Sequence, residues 1–440
     1  MKRIIGFFMI LFCFGCAKEM AIKNDFFNRP EFNPNHYDPP ILSGRLGNNE
    51  VLAGAAKEKI TPDIKANRFY LAGYGFGINF RVAEDIHDDI WVRCLSIHDG
   101  QNGLVFASFD LIGMGRGDIN EIKKSVADII PPSHLFLAFT HTHAAPDTMG
   151  LWGPIFFISG KDNNYIASVK KRAASCIRSS WDNFKKAKIS FGSEILNNAP
   201  LEIMSLDDAG GKNIALLFNY AMHPNLIYGN YVSADILWPV YERLEKELGG
   251  TPVFINGAQG GVGAIVNHHE GNRNDWGTVE INGQLLSEKI FSALKNKEEE
   301  KNPEIVVRQK LIKVPMEDWK FKMMIFLGVI EERRDNEGKI ETEVNSIRIG
   351  QAVFLTIPGE AMPNIGQALR QVLAIHKVKR RFILGLVNDE LGYIIFKNDW
   401  QAKKYPYQMR VSVGPEIGDI VYDSLQGLIL KDLILKNLRE

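Results

Sequence analysis

The chain has 440 residues, and its 52 basic side chains are balanced by 52 acidic ones. This balance argues against nucleic acid or an acidic surface as the main partner, and it favours a small molecule or a lipid. The length is sufficient for one large domain or for two closely joined ones.

Residues 1–16 have the layout of a secretory signal peptide. Met1-Lys2-Arg3 precede an apolar stretch that is too short to span a bilayer as a helix. A glycine then stands before Cys16, as in bacterial lipoprotein signals, where the cysteine becomes the lipidated first residue of the mature chain. The alternative is plain cleavage. Either way the sequence predicts export, and lipidation would make the protein a membrane-anchored lipoprotein of the bacterial cell envelope.

The next segment, residues 17–50, is rich in asparagine and proline and shows no sustained hydrophobic period. This composition predicts a tether between the anchor and the body of the protein. The body retains two cysteines, Cys94 and Cys176, so it is no disulfide-stapled scaffold. The sequence leaves open whether these two form a bridge.

From residue 51 onward, apolar strands alternate with amphipathic helices, without an internal repeat or a low-complexity linker. A strand at 104–109, a helix capped by Asp118 and a strand at 135–139 form a strand-helix-strand unit, whose strands are expected to be parallel or near neighbours. Further helices are predicted at 165–184 and 415–438, and further strands at 189–191, 201–204, 214–218, 253–255, 305–307 and 352–357. The pattern predicts an α/β fold with mixed sheets covered by helices.

Two histidines stand two residues apart where a predicted strand ends. His141 and His143 follow the strand at 135–139, and the period of two along a strand would put both rings on the same face. An H-x-H pair in this place is a candidate metal site. The alternative is that both rings cap the strand end and bond to the backbone.

Three other residues that can bind metal also follow predicted strands. His223 precedes a proline after the strand at 214–218, Glu360 follows a Pro-Gly turn, and Tyr393 follows a strand at 382–387. Each has a structural alternative, namely a hydrogen-bonded core histidine, a solvated glutamate and a packed aromatic ring. Ordinary packing does not require metal-capable residues at so many strand ends.

Together these segments resemble the N-terminal catalytic domain of the neutral and alkaline, non-lysosomal ceramidases. The resemblance extends from about Ala53 to the end of the chain and depends on the order and spacing of its motifs. The motifs are Lys59-Ile60-Thr61-Pro62, Leu71-Ala72-Gly73-Tyr74, Phe109-Asp110-Leu111, Thr140 to Pro146, Ala221-Met222-His223-Pro224, Pro358-Gly359-Glu360, and the tail from Gly392-Tyr393 through Tyr405 to Gly414-Pro415. The resemblance implies one catalytic domain over residues 51–440, with two packed mixed β-sheets flanked by α-helices and the site at one rim.

The resemblance also implies one catalytic zinc ion. Carried over to this chain, its ligands are His141, His223, Glu360 and Tyr393. Zinc would lower the pKa of water and polarise the scissile carbonyl of a lipid-like or small substrate. His143, beside the metal, would then bond the developing oxyanion or shuttle a proton.

Two acidic residues stand where the family has carboxylates near the site. Asp110 and Asp235 would either orient a ligand histidine, or serve as a helix cap or a salt-bridge partner.

The sequence departs from the family pattern at several points. Gly263 falls where the family has its nucleophilic serine, so attack would come from metal-activated water. The glycine-rich loop at 256–264 would then supply backbone amides to an oxyanion, or would be a flexible turn. Asn198 falls where the family has an arginine that reaches the active site. No immunoglobulin-like domain is expected after the helix that begins at Pro415.

The leading hypothesis is therefore an exported, zinc-dependent hydrolase that cleaves an amide or ester bond. The rival is a catalytically inactive ligand-binding or scaffolding lipoprotein that keeps the fold, since Gly263 and Asn198 replace family residues. A barrel-type H-x-H metallohydrolase is disfavoured because eight regular strand-helix units are not visible.

Overall fold

The computed structural model describes residues 46–47, 49–75, 81–155, 158–267 and 274–437. The predicted signal peptide with Cys16, and nearly all of the predicted tether, lie outside these residues. Among the helices within them, none combines the length and the apolar character needed to cross a membrane.

Seventeen strands and eight helices form in the described ranges. The strands are β1 (Val51–Lys59), β2 (Asp85–Ile86), β3 (Trp91–His98), β4 (Gly103–Phe109), β5 (Leu135–Phe139), β6 (Lys185–Leu196), β7 (Ala199–Asp208), β8 (Asn213–Tyr220), β9 (Tyr231–Val232), β10 (Thr251–Asn256), β11 (Glu298–Glu299), β12 (Ile305–Pro315), β13 (Lys339–Ile349), β14 (Ala352–Thr356), β15 (Glu360–Ala361), β16 (Arg380–Leu384) and β17 (Tyr393–Ile394). The helices are α1 (Arg116–Ser125), α2 (Asn163–Asp182), α3 (Leu237–Leu248), α4 (Trp276–Lys295), α5 (Trp319–Phe326), α6 (Pro363–Ile375), α7 (Lys397–Gln401) and α8 (Ile417–Asn437).

The larger sheet has nine strands in the order β10-β8-β7-β6-β1-β3-β4-β5, and β11 pairs with β6 at the side. Two of its pairs, β4 with β5 and β8 with β10, are parallel, and the others are antiparallel. The predicted strand-helix-strand unit is therefore confirmed, with α1 as its crossover. Every residue of β4 and β5 is buried, which explains why both strands are continuous apolar runs.

The prediction that Asp118 caps α1 is wrong. Gly115 is the N-cap residue, and as a glycine it has no side chain that could cap the helix. Asp118 lies within the first turn of α1, where its carboxylate interacts favourably with the positive end of the helix dipole. The sequence pattern could not separate these two roles because both favour aspartate within the same few residues.

The smaller sheet has the order β12-β13-β14-β16, with β14 and β16 parallel and the other pairs antiparallel. Its apolar face packs on the larger sheet, so that Phe106 of β4 and Phe354 of β14 have ring centroids 5.7 Å apart. Phe354 in turn stacks on Phe382 of β16 at 4.1 Å. All three belong to one buried cluster that contains residues of both sheets. The prediction of two packed mixed sheets is confirmed.

A disulfide joins the larger sheet to a helix that covers it. Cys94 of β3 and Cys176 of α2 are paired, with their Cα atoms 6.0 Å apart. Sequence alone left this pairing open.

The three parallel strand pairs of the two larger sheets place the polar residues that are candidates for the site in one region of the fold. The segments after β5, β8 and β10 carry His141, His223 and the glycine-rich loop, respectively. After β14 and β16 the chain forms a further short parallel pair, β15 with β17, in which Glu360 stands opposite Tyr393. Residues that are far apart in sequence therefore meet at the carboxyl ends of the strands.

Candidate metal centre

His141 stands in an uncommon backbone conformation beyond the end of β5. Its φ is +68°, in the left-handed region, and its amide donates to Leu111 O at 2.9 Å. Its ring Nδ1 lies 2.7 Å from Ile112 O. Because a carbonyl only accepts, Nδ1 carries the proton, and the Nε2 lone pair points toward Glu360 Oε2 at 3.5 Å. A histidine that donates from one ring nitrogen to a carbonyl is oriented to bind metal through the other.

His223 repeats this arrangement on the other side of Glu360. Its Nδ1 lies 2.7 Å from Val262 O, and its Nε2 lies 3.1 Å from Glu360 Oε2. The carbonyl again fixes the tautomer, so a lone pair faces the carboxylate. A cation between the imidazole and the carboxylate would bind the lone pair of the first and balance the negative charge of the second.

His143 is the third imidazole of the cluster, and only 8 % of it is exposed. Neither of its ring nitrogens has a hydrogen-bond partner among the described residues. Its backbone is fixed instead, because its amide donates to Pro224 O at 3.1 Å and its carbonyl accepts from Arg81 Nη1 at 2.9 Å. Buried ring nitrogens without a partner are costly, so this ring is available to a ligand.

The three imidazoles converge. Their ring centroids lie 5.1 to 5.8 Å apart, and one nitrogen from each lies within 4.8 Å of the others. Glu360 adds a carboxylate, and Tyr393 stands opposite it in the β15–β17 pair, where its phenol helps to lower the pKa of that carboxylate. Imidazole, carboxylate and phenol oxygen are ligands that zinc accepts, so these residues fit one metal ion.

The reason for the convergence differs from the one that the sequence suggested. The strand ends at Phe139, and the positive φ of His141 breaks the period of two that was expected to place both rings on one face. The turn after β5 brings the rings of His141 and His143 together instead.

Burial decides the protonation state of this cluster. It lowers the pKa of His141 to about 4, and it lowers the pKa of His143 well below its ordinary value. Burial and the nearby Glu360 raise the pKa of the Tyr393 phenol. His141 and His143 are therefore neutral at physiological pH, the form in which histidine binds metal.

The glycine-rich loop after β10 contacts the cluster directly. Gln259 Nε2 donates to Glu360 Oε2 at 3.3 Å, a contact that the sequence analysis missed. The amides of Gly257, Gly260 and Val262 donate to protein carbonyls, so these three are not free to bind an oxyanion as predicted. The loop instead positions the metal-binding side chains through Gln259 and through Val262 O.

Gly263, which the sequence resemblance aligned with the serine of the ceramidases, lies next to the residue whose carbonyl holds His223. A Cβ added there would lie 3.1 Å from Asn267 Oδ1, so the Asn267 side chain would have to shift by a few tenths of an ångström. Glycine itself offers no nucleophile.

Asn198, at the position of the family's arginine, lies in the two-residue turn between β6 and β7. Asn197 and Asn198 have φ values of +48° and +61°, and both are exposed. Asn197 Nδ2 donates to Ile265 O at 2.8 Å. This turn therefore contacts the segment that follows the glycine-rich loop.

The two predicted acidic residues bond to backbone amides near the centre. Asp110 accepts from the Trp91 amide at 2.9 Å, and burial raises its pKa to about 7. Asp235 accepts from the amides of Ile227 and Ile236 at 2.9 and 2.7 Å. The rings of His141 and His223 are oriented by carbonyls, so both aspartates support the surrounding loops.

A cavity of about 150 Å³ opens onto the cluster. His141, His143, Glu360 and Tyr393 lie in its wall. Its apolar lining includes Ile112, Met149, Leu151, Trp152, Met316, Phe321, Ile325, Ile330, Leu391 and Val413, and its charged lining includes Asp118, Lys161, Glu331, Arg333 and Glu390. Sequence analysis missed Glu390, whose Oε2 is buried without a hydrogen-bond partner among the described residues. The site thus combines a cluster that could hold a metal ion with a mainly apolar chamber.

Comparison with known proteins supports the fold. No family model matches the sequence, and no curated protein matches it either. Among solved structures, a neutral ceramidase from Pseudomonas aeruginosa aligns with a TM-score of 0.72 and 15 % identity, over 88 % of this chain and 75 % of that one. A structure described as a ceramidase complexed with C2 aligns with a TM-score of 0.69 and 14 % identity, over 88 % of this chain and 75 % of that one. At such identity the similarity establishes a ceramidase-like fold.

Proposed function

We propose that the protein is a zinc-dependent hydrolase that cleaves the amide or ester bond of an acylated, lipid-like substrate with activated water. The observation that carries this proposal is the convergence of His141, His143 and His223 around Glu360 at one end of an apolar cavity. The ceramidase-like fold supports the same reaction class. We further propose that a single zinc ion is held by His141, His223, Glu360 and Tyr393.

When bound, zinc would polarise the scissile carbonyl and lower the pKa of water. His143 has unpartnered ring nitrogens and faces the cavity, so it can take a proton from the attacking water and return one to the leaving group. Gln259 donates to Glu360 Oε2, and the Nε2 atoms of His141 and His223 lie 3.5 and 3.1 Å from the same oxygen, so the candidate ligands are already gathered before substrate arrives. The apolar wall would hold an acyl chain and exclude water.

Metal content and turnover test this proposal together. We expect about one zinc per chain by elemental mass spectrometry, lost in His141→Ala and His223→Ala. His143→Ala should keep the metal but lose turnover of fluorogenic N-acyl and O-acyl substrates by about 10²-fold or more. Exposed His376 provides the matched control, and His376→Ala should keep both. Absence of metal after incubation with zinc, or hydrolysis that survives chelation, would overturn the proposal.

A second candidate function is ligand binding without turnover by a lipoprotein of the same fold. It is favoured by Gly263 and Asn198, which leave the family's serine and arginine positions without those groups. Tight binding of a fluorescent N-acyl ligand by the zinc-loaded protein, with no product after long incubation, would favour this candidate.

We also propose that the protein is exported to the bacterial cell envelope and anchored by a lipid on Cys16. The disulfide between Cys94 and Cys176 supports export, because such bonds persist in oxidising compartments. Labelling with an alkyne fatty acid should mark the full chain, and Cys16→Ser should abolish the label. Equal labelling of both would contradict the anchor.

A further inference from the structure

Helix α5 exposes large apolar side chains on the face opposite the cavity. Trp319 is 66 % exposed and Phe326 is 79 % exposed, with the exposed Lys322 between them on the same face at helical spacing. The inner face carries Phe321 and Ile325, which line the cavity. One short helix therefore separates the chamber from solvent and is apolar on both sides.

Other exposed apolar side chains gather on the segments that build the same cavity. Leu327 follows α5 and is 38 % exposed, and Tyr407, which itself lines the cavity, is 58 % exposed. Ile155 and Ile158 are each 51 % exposed and belong to a loop whose neighbouring residues line the chamber. These and the two on α5 make six of the thirteen exposed large apolar residues in the described chain. Their concentration marks a functional surface rather than scattered exposure.

Contacts show that these segments adjoin one another. Lys320 Nζ donates to Arg410 O, which joins α5 to the turn after Tyr407. A Cβ on Gly150 would meet Val329 O at 2.9 Å, so the start of the loop at 150–155 adjoins the segment that follows α5. We call the surface formed by Trp319, Phe326, Leu327 and Tyr407 the rim face.

The rim face carries an excess of positive charge. Its segments contain Lys320, Lys322, Lys403, Lys404 and Arg410, of which Lys320 and Lys404 form salt bridges with the adjoining Asp318 and Asp399. Lys322, Lys403 and Arg410 are exposed and account for the excess. Aromatic and aliphatic side chains mixed with lysines are the composition of helices that lie in a lipid interface, and the lysines favour anionic headgroups.

We propose that the rim face docks on an anionic lipid surface, which brings the helix that covers the cavity against the membrane. The occupant is identified by chemistry: apolar side chains enter the headgroup boundary and the lysines meet phosphate. Docking goes beyond the proposed hydrolysis and does not require turnover. It also does not depend on a lipid at Cys16.

The test uses the full chain with Cys16→Ser, which carries no acyl chain, and measures co-sedimentation with vesicles. We expect binding to phosphatidylglycerol vesicles to exceed binding to phosphatidylcholine vesicles, and Trp319→Ala with Phe326→Ala to weaken it about tenfold or more. Ile375 is the matched control, because it is 76 % exposed at the end of α6 and does not line the cavity. Ile375→Ala should bind as the parent does.

A second measurement protects the test from a folding defect in the double variant. Brominated phosphatidylglycerol should quench the parent's tryptophan fluorescence, and Trp319→Phe, which keeps an apolar ring, should reduce that quenching, with the remainder coming from Trp400 in the adjoining segment. Equal sedimentation of parent and double variant, equal loss in Ile375→Ala, or quenching that Trp319→Phe leaves unchanged would overturn the proposal. The parent chain could also form dimers in the absence of vesicles. If the double variant does not form them, the rim face binds a second copy of the chain, and the membrane proposal is overturned as well.

Discussion

The nearest atoms around each glycine of the glycine-rich loop decide whether that glycine can be replaced by a larger residue. A Cβ on Gly260 would lie 2.7 Å from Glu360 O and 2.9 Å from Ala361 O, which are backbone atoms that cannot move without displacing the carboxylate. A Cβ on Gly263 would meet only a side chain, at 3.1 Å, and Gly263 has no positive φ. Two glycines of similar appearance in the sequence therefore have different constraints.

We predict that Gly263→Ser folds with an unfolding midpoint within about 2 °C of the parent and keeps its metal, because Asn267 is a flexible neighbour. Gly260→Ser should be destabilised by about 1–3 kcal/mol, since it overpacks against backbone. Thermal unfolding and metal content measure both variants. Incubation of Gly263→Ser with an activated ester, followed by mass spectrometry, asks whether the new hydroxyl is acylated. Equal stability of the two variants would show that the loop relaxes freely.

At the scale of secondary-structure elements, the β6–β7 hairpin accounts for the two asparagines at its turn. Leu196 pairs with Ala199, which leaves two residues for the turn, and both have positive φ. Positive φ at both central positions is the geometry of a type I′ turn, which favours asparagine and glycine. From the sequence, this segment was interpreted as a departure from a family motif. The structure shows that the turn geometry itself favours asparagine at positions 197 and 198.

The hairpin predicts a graded series at Asn198. Asn198→Gly should be neutral or stabilising, because glycine adopts positive φ without cost. Asn198→Val should lower the free energy of unfolding by about 1–2 kcal/mol, because a β-branched side chain is strained there. Urea unfolding monitored by circular dichroism gives both values, and metal content is the control that should not change. A stable Asn198→Val variant would contradict the positive φ.

At the scale of the whole molecule, one covalent bond ties the helical layer to the sheet. The disulfide between Cys94 and Cys176 closes a loop with a sequence separation of 82 residues. Both side chains are buried, at the contact of β3 with α2. A loop of this length constrains the unfolded chain strongly.

We predict that replacing both cysteines by alanine lowers the free energy of unfolding by about 2–4 kcal/mol. Dithiothreitol should lower the unfolding midpoint of the parent toward that of the double variant and leave the double variant unchanged. Denaturant unfolding with and without reductant measures this. If reductant shifts the parent and the double variant equally, the bridge does not contribute.

The sequence by itself determined where polar residues stand relative to strands. His141, His223 and Glu360 each follow an apolar run that breaks at a turn, and the structure confirms a strand before each of them. The two packed mixed sheets also followed from the sequence, through its resemblance to ceramidases. These features were predictable because strand patterns and turn residues are local.

Only the tertiary structure decided what meets at those strand ends. Glu360 and Tyr393 are neighbours because β15 pairs with β17, and His223 reaches Glu360 across the sheet. Gln259 donates a hydrogen bond to Glu360 from a glycine-rich loop whose sequence did not indicate such a contact. The exposure of Trp319 depends on how α5 covers the cavity. Such contacts come from packing between segments distant in sequence, which no local pattern encodes.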